Sequence, residues 1–280
     1  MSTPSAAGGS LREREATLFE RLGGLPSLLV AYSGGVDSAY LAWAASRVLG
    51  PRALAVTADS PSYPARHRAM ALEVVSRFGL RHEFIRTAEL DRPAYRANAP
   101  DRCYHCKQEL YAQLARLAVD RGIAAVADGS NADDRGDYRP GRRAARELGV
   151  ISPLDEAGLT KADIRALSRE AGLPTWDEPA SACLSSRIPY HSEVTAEKLR
   201  AIEQAEDAIR ALGFRVVRVR HHGDVARIET SPDELARMIE PATAAAVDAA
   251  VRAAGFRYVA VDLRGYRLGS LNEGLILQRV

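Results

Sequence analysis

The chain has 280 residues, enough for one large domain or two modest ones with a proper apolar core. Its 38 Lys and Arg nearly balance 36 Asp and Glu, a net charge of +2, so it lacks the basic excess or stripe of a nucleic-acid binder. No apolar run approaches the ~18 residues of a membrane span, and Met1–Ser10 is small and polar without a signal core. A cytoplasmic protein with no membrane partner is expected.

Leu28, Leu29 and Val30 read as a short buried strand, and Ala39 to Val48 carries a helical stripe at Leu41, Ala44, Ala45 and Val48. Ala53 to Ala58 reads as a second strand, Arg66 to Phe78 as a helix and Glu83 to Arg86 as a third strand. A helical pattern from Glu109 to Val119 precedes a strand at Ile123 to Ala127. Strands alternating with helices predict an α/β fold, a parallel twisted sheet with helices on both faces. Thr160 caps a further helix that Gly172 and Pro174 stop, and Thr175 to Ser192 reads as an inter-domain loop. Beyond it, an amphipathic helix from Thr195 to Leu212 leads to strands at Phe214 to Val219 and Val225 to Glu229, turned at Gly223-Asp224. Ser231 to Glu234 reads as a capping box, residues 242–254 as an alanine-rich helix and Tyr258 to Leu263 as a last strand. The expected division is a flexible 1–18, a nucleotide domain over 19–180 and a smaller α+β domain over 181–280.

Between the first strand and its helix stands Ser33-Gly34-Gly35-Val36-Asp37-Ser38. Two glycines permit a tight strand-to-helix turn whose N–H groups face one point, and a helix N-terminus there favours negative charge. It is a phosphate cradle but not a Walker A loop, because no lysine follows the glycines. Asp128-Gly129-Ser130-Asn131 ends the strand at Ile123 to Ala127 and is expected beside it, since ligands of such sheets bind beyond the strands' carboxyl ends. Three cysteines make an odd number, against a disulfide framework. Cys103 and Cys106 form a CxxC just ahead of a helix, with Cys183 far along the chain. Three thiolates suit a [4Fe–4S] cluster with one iron open; unlinked thiols or a dithiol redox pair at 103/106 are the alternatives.

The string SGGVDS resembles the PP-loop of ATP pyrophosphatases. Together with Asn98–Lys107, Asp128–Asp134, Glu178–Arg187 and Arg220–Glu229, taken in order, the chain resembles the LarE-type ATP-dependent sulfurtransferases over nearly its whole length from Leu28. The resemblance implies an adenylating enzyme that releases pyrophosphate and replaces an oxygen of a carboxylate of pyridinium-3,5-biscarboxylic acid mononucleotide with sulfur, in nickel-pincer nucleotide biosynthesis. It implies ATP, Mg²⁺, a sulfide donor and a homo-oligomer, a hexamer among the forms it allows. Some members sacrifice the sulfur of one cysteine, whose position Cys183 matches, and are left with dehydroalanine. Others add a CxxC and a [4Fe–4S] cluster that binds sulfide, and this chain resembles that branch, with Cys103, Cys106 and Cys183 as ligands. A PP-loop tRNA thiolase and an amide-forming ligase of the NAD synthetase type are the alternatives.

By the same resemblance, Ser33, Gly34, Gly35, Asp37 and Ser38 hold the β/γ phosphates, Asp37 also reaching the metal. Asp128, Gly129, Ser130 and Asn131 hold the nucleotide, and Lys161 takes the place of a pyrophosphate lysine, or is a solvated first-turn residue. Arg187 grips the substrate's carboxylate or phosphate, or is an ordinary loop arginine. Arg220 and Glu229 bind substrate or metal, or form a structural ion pair. His221 and His222, adjacent on a strand, face opposite sides and do not chelate one metal. Trp176 packs at the domain junction, and adenine is expected near Thr57–Ser60.

Overall fold

Alternation along Leu28-Leu29-Val30-Ala31 decides the layers of the first sheet, because neighbouring side chains of a strand point to opposite faces. The computed structural model describes residues 9–136, 140–179 and 182–267. The chain divides into two units, Met1–Glu89 with Cys103–Ser181, and Leu90–Arg102 with Ala182–Val280.

The first unit begins with α1 (Leu11–Gly23), β1 (Leu28–Ala31), α2 (Val36–Leu49), β2 (Ala53–Asp59), α3 (Ala65–Phe78) and β3 (His82–Arg86). The short α4 (Pro93–Arg96) belongs to the second unit. The first then resumes through α5 (Arg102–Asp120), β4 (Ala125–Ala127), α6 (Pro140–Glu147), α7 (Pro153–Glu156) and α8 (Lys161–Glu170). Its sheet is parallel in the order β3-β2-β1-β4. Leu28 and Val30 face a core shared with Leu18 and Leu22 of α1, Tyr40 and Leu41 of α2, and Ile164 and Leu167 of α8. Leu29, Leu54 and Val56 face the other core, with Tyr111 and Leu114 of α5 and Ala144 and Ala145 of α6. Both faces are covered, as the apolar strands require. β2 and β4 flank β1 on opposite sides, so the order of strands reverses at β1, the place where parallel sheets of this kind bind ligands at their carboxyl ends.

Two boundaries differ from the sequence reading. The flexible stretch expected to residue 18 ends much earlier: Ser10 and Glu13 form a capping box, α1 runs from Leu11, and Leu18 is fully buried; residues 1–8 lie outside the described residues. α5 starts at Arg102, not near 109, so the CxxC sits within its first turn. The polar segment hides the period, yet the Arg143 guanidinium lies 3.9 Å from the Tyr104 ring and ties this turn to α6.

The second unit continues with α9 (Ala196–Ala211), β5 (Val217–His222), β6 (Val225–Thr230), α10 (Leu235–Met238), α11 (Pro241–Ala253) and β7 (Tyr258–Val261). β5 and β6 pair antiparallel through a turn at Gly223, whose φ is +64°, and β7 joins β6 in parallel. Ser231 does not cap as expected: its hydroxyl donates to Glu234 Oε2 at 2.8 Å, and Pro232–Glu234 is a 3₁₀ turn leading into α10. The excursion before α5 joins this unit by hydrogen bonds that local sequence cannot show. Asn98, fully buried, donates to the carbonyls of Pro189 at 2.7 Å and Ser192 at 3.0 Å, and Arg102 donates to Ser185 O at 2.8 Å.

Leu199, Ile202, Ala205 and Ile209 bury one face of α9, and Glu206 lies on that face with 2% exposure. Burial alone would raise its carboxyl, but Arg187, Arg210 and Arg218 hold it down to about 2 from 4.5. Its contribution to stability is therefore complete above about pH 4.5 and is lost as pH falls towards 2. Glu206→Gln, which leaves Arg187 buried against a neutral partner, is expected to cost about 3 kcal/mol. Urea titrations should show a wild-type midpoint that drops across that acid window and a variant midpoint that drops less.

Candidate active site

The cradle is built where β1 runs into α2. Gly34 has φ +74°, and a Cβ on it would meet Ala71 Cβ at 2.9 Å and His67 O at 3.1 Å, so only glycine fits between the turn and α3. Ser38 Oγ accepts from Ser33 N at 3.1 Å and lies 3.0 Å from Ser33 Oγ, pinning the two ends of the loop. Gly35, the residue before the helix, makes no side-chain capping bond, which leaves first-turn N–H groups for an anion.

On the β4 side, a Cβ on Gly129 would lie 2.9 Å from Ser38 N, so this backbone presses directly on the α2 N-terminus. Asn131 Nδ2 reaches Asp37 Oδ1 at 3.4 Å, and Lys161, first residue of α8, pairs its ammonium with Asp37 Oδ2. Asp133 fixes that lysine by accepting from its backbone N–H at 2.8 Å. Burial pushes the Asp37 carboxyl up, Lys161 opposes the shift and Asp134 reinforces it. The structure thus brings together Ser33, Gly34, Gly35, Asp37, Ser38, Gly129, Asn131 and Lys161.

Asp128 is turned differently. Its carboxylate accepts from Tyr111 Oη at 2.8 Å, Ser130 N at 3.1 Å, Ser130 Oγ at 2.9 Å and Ser152 Oγ at 2.8 Å. With all four bonds made inside the protein, it shapes the loop that carries Gly129 and Asn131. Tyr111 is on α5, about two turns beyond Cys103 and one and a half beyond Cys106; these two cysteines are three residues apart, with Cys103 exposed and Cys106 partly buried. Lys107 lies with its ammonium 5.2 Å from the Tyr111 ring centroid. Tyr111, Asp128 and Cys106 hold it above the usual lysine range against burial. Thr57, in the region expected to meet adenine, donates to Tyr32 O at 2.8 Å.

In the second unit Cys183 is partly buried ahead of the 3₁₀ turn Leu184–Arg187. Arg187 is 1% exposed, and its Nε and Nη2 engage both oxygens of Glu206 at 2.9 and 3.2 Å. Nη1 reaches back to Ala182 O at 2.6 Å and Cys183 O at 3.0 Å. Arg220 pairs with the fully buried Glu229 at 2.6 Å and donates to Ser186 O at 2.9 Å, so it too braces this turn. His221 packs edgewise on Phe256 while His222 meets Arg227, on opposite sides of β5. Trp176 has the Arg169 guanidinium 5.0 Å from its ring centroid. Among the described residues, no three His, Cys, Asp or Glu side chains gather to hold a metal ion.

The chain is 43% identical over 265 residues to "Uncharacterized protein slr1717" of Synechocystis sp., covering 95% of this chain and 99% of that protein. It is 36% identical over 267 residues to the pyridinium-3,5-bisthiocarboxylic acid mononucleotide synthase of Lactiplantibacillus plantarum, covering 95% and 96%. The chain belongs to the LarE-type family. A tRNA(Ile)-lysidine synthase of Bradyrhizobium sp. is 31% identical over 175 residues, 55% of this chain and 47% of that enzyme, in keeping with a PP-loop core. No protein-family model matches the chain.

For a LarE-type chain, the sequence reading omitted Tyr111, Asp133, Asp134, Ser152 and Glu206. Asp133 and Asp134 lie in a segment that carried the resemblance, so their signal was present; Tyr111, Ser152 and Glu206 act across the fold and had none. No helix of the described residues is long and apolar enough to cross a membrane. Gly129→Ala should force Ser38 N and the inserted methyl apart at a cost of about 1–3 kcal/mol, read as a lower urea midpoint with unchanged far-ultraviolet dichroism.

Proposed function

We propose that this LarE-type chain uses ATP to adenylate a carboxylate of pyridinium-3,5-biscarboxylic acid mononucleotide and replaces an oxygen with sulfur, a cytoplasmic reaction in nickel-pincer nucleotide synthesis. The observation that carries the reading is the cradle: glycine-built N–H groups at the start of α2, with Lys161 and Asp37 set against them. A carboxylate is a poor electrophile, and adenylation makes AMP the leaving group; sulfur then attacks the carbonyl carbon more readily than water near neutral pH. The α2 N–H groups and the Lys161 ammonium stabilise charge growing on pyrophosphate. Asp37, whose carboxyl also feels the charge of Asp134, would help hold Mg²⁺, which when bound neutralises phosphate charge.

By the family resemblance, Cys103 and Cys106 on α5 and Cys183 in the second unit would be the ligands of a [4Fe–4S] cluster, which would supply a place to carry sulfide. A second reading, in which Cys183 surrenders its own sulfur, is favoured by the donors gathered on its carbonyl. Arg187 and Arg220 act in both readings by holding the Cys183 turn, with Glu206 and Glu229 as their anchors. A sulfide donor and a homo-oligomer belong to the proposal.

Anaerobically purified protein should release pyrophosphate only with ATP, Mg²⁺ and the biscarboxylate nucleotide, and form a thiocarboxylate detectable by mass. Lys161→Met should slow that release about 10²-fold. Iron and acid-labile sulfide that fall together in Cys106→Ala support the cluster; a Cys183 that loses H₂S on turnover supports the second reading. Pyrophosphate release that requires tRNA, or an amide formed from ammonia, overturns the assignment.

A further inference from the structure

The chain holds three lysines, and two have evident tasks. Lys161 pairs with Asp37, and Lys198 donates to Glu193 O at 2.6 Å in the second unit. Lys107 is half-buried on α5, one residue after Cys106, and no carboxylate of the described residues forms an ion pair with it. Its ammonium stands 5.2 Å from the Tyr111 ring centroid, with Asp128 near enough to act on its charge. That carboxylate is already engaged by Tyr111, Ser130 and Ser152. The lysine stem is fixed as well, since a Cβ on Gly141 of α6 would meet Lys107 Cγ at 2.9 Å. An ammonium held in place with N–H donors to spare is a ready partner for an incoming anion.

Its place narrows the choice of anion. Asp128 follows β4 directly, and the next residue, Gly129, presses on the N-terminus of α2. Lys161 comes to this loop from α8, on the sheet face of Leu28 and Val30, and Lys107 from α5, on the face of Leu29. The β and γ phosphates have the α2 N–H groups and Lys161 as partners. What remains is the carboxyl group to be activated, which must lie between the nucleotide and the sulfur. We propose that Lys107 binds the substrate carboxylate that attacks ATP and, after adenylation, the carbonyl oxygen on which charge grows when sulfur adds. It is a catalytic residue with a task separate from that of Lys161.

The inference rests on the sulfur-transfer reading and adds a residue to it. A carboxylate oxygen attacks the α-phosphorus of ATP, the bond to the bridging oxygen breaks and pyrophosphate leaves. Hydrosulfide then attacks the acyl carbon, and the C=O electron pair moves onto the oxygen beside Lys107. That pair returns as AMP departs, leaving the thiocarboxylate. The S–H proton goes to solvent, and Lys107 keeps its own throughout.

Binding alone can test the assignment, with 5′-O-[N-(nicotinoyl)sulfamoyl]adenosine as a stable mimic of an aromatic acyl adenylate and AMP as the reference. Calorimetry on the wild-type protein should show the mimic bound at least about 10-fold more tightly than AMP, on the scale of one hydrogen bond to a charged group. Lys107→Met, which keeps the apolar stem, should lose most of that preference, and Lys107→Arg should recover part of it. Gly141→Ala, whose methyl displaces the stem and leaves the charge, is a second variant and should also lower the preference. Wild-type protein that binds mimic and AMP alike, or a folded Lys107→Met or Gly141→Ala protein that keeps the full preference, overturns the proposal. Pyrophosphate release by the wild type with the biscarboxylate nucleotide reports separately on the sulfur-transfer reading. If that release fails while the preference still depends on Lys107, the residue's role stands and the acid is a different one.

Discussion

The close approach of Gly129 to the N-terminus of α2 is the contact on which the nucleotide half depends. It exists because β1 pairs in parallel with β2 on one side and β4 on the other, so the loops leaving β1 and β4 emerge side by side. A side chain at Gly129 would separate them, and Asn131 and Lys161 would then lose their common partner Asp37. Buried Asp128 is the price of that closeness: four donors from α5, the β4 loop and the segment before α7 are needed to hold it.

The second unit solves a related problem with buried charge. Arg187 and Glu206 leave water together, and desolvation of both is offset only because each is further satisfied, Glu206 by Arg210 and Val219 N, Arg187 by carbonyls around Cys183. Apolar residues of similar volume would pack α9 against β5 as well, but they could not orient a peptide carbonyl. Arg220 and Glu229 repeat the arrangement one layer away, gripping the Ser186 carbonyl.

Much of the architecture could be read locally. The strands and helices flanking Ser33–Ser38 have short-range periods, and the phosphate-cradle reading needed only glycine freedom and a following helix. Local patterns were weaker where polar residues interrupt the period: α5 begins seven residues before the predicted pattern, and α1 occupies a stretch expected to be flexible. They were silent where the decisive bonds span many residues. Asn98 binding the Pro189 and Ser192 carbonyls is such a case, as is Tyr111 reaching Asp128.

What the sequence determined by itself is the inventory and the local geometry: a glycine turn that must precede a helix, an anion site at that helix's end, three unlinked thiols and near-neutral charge. These follow from backbone freedom, periodicity and residue chemistry, all properties of short segments. Packing across the fold sets which polar groups can act. Asp128 is consumed by four internal bonds while Asp37 faces Lys161, and Arg187 is turned inward on the Cys183 carbonyl by a glutamate nineteen residues away. The reason is that a side chain's partner is chosen by proximity in the folded chain, and proximity across the fold is set by packing rather than by neighbours in sequence.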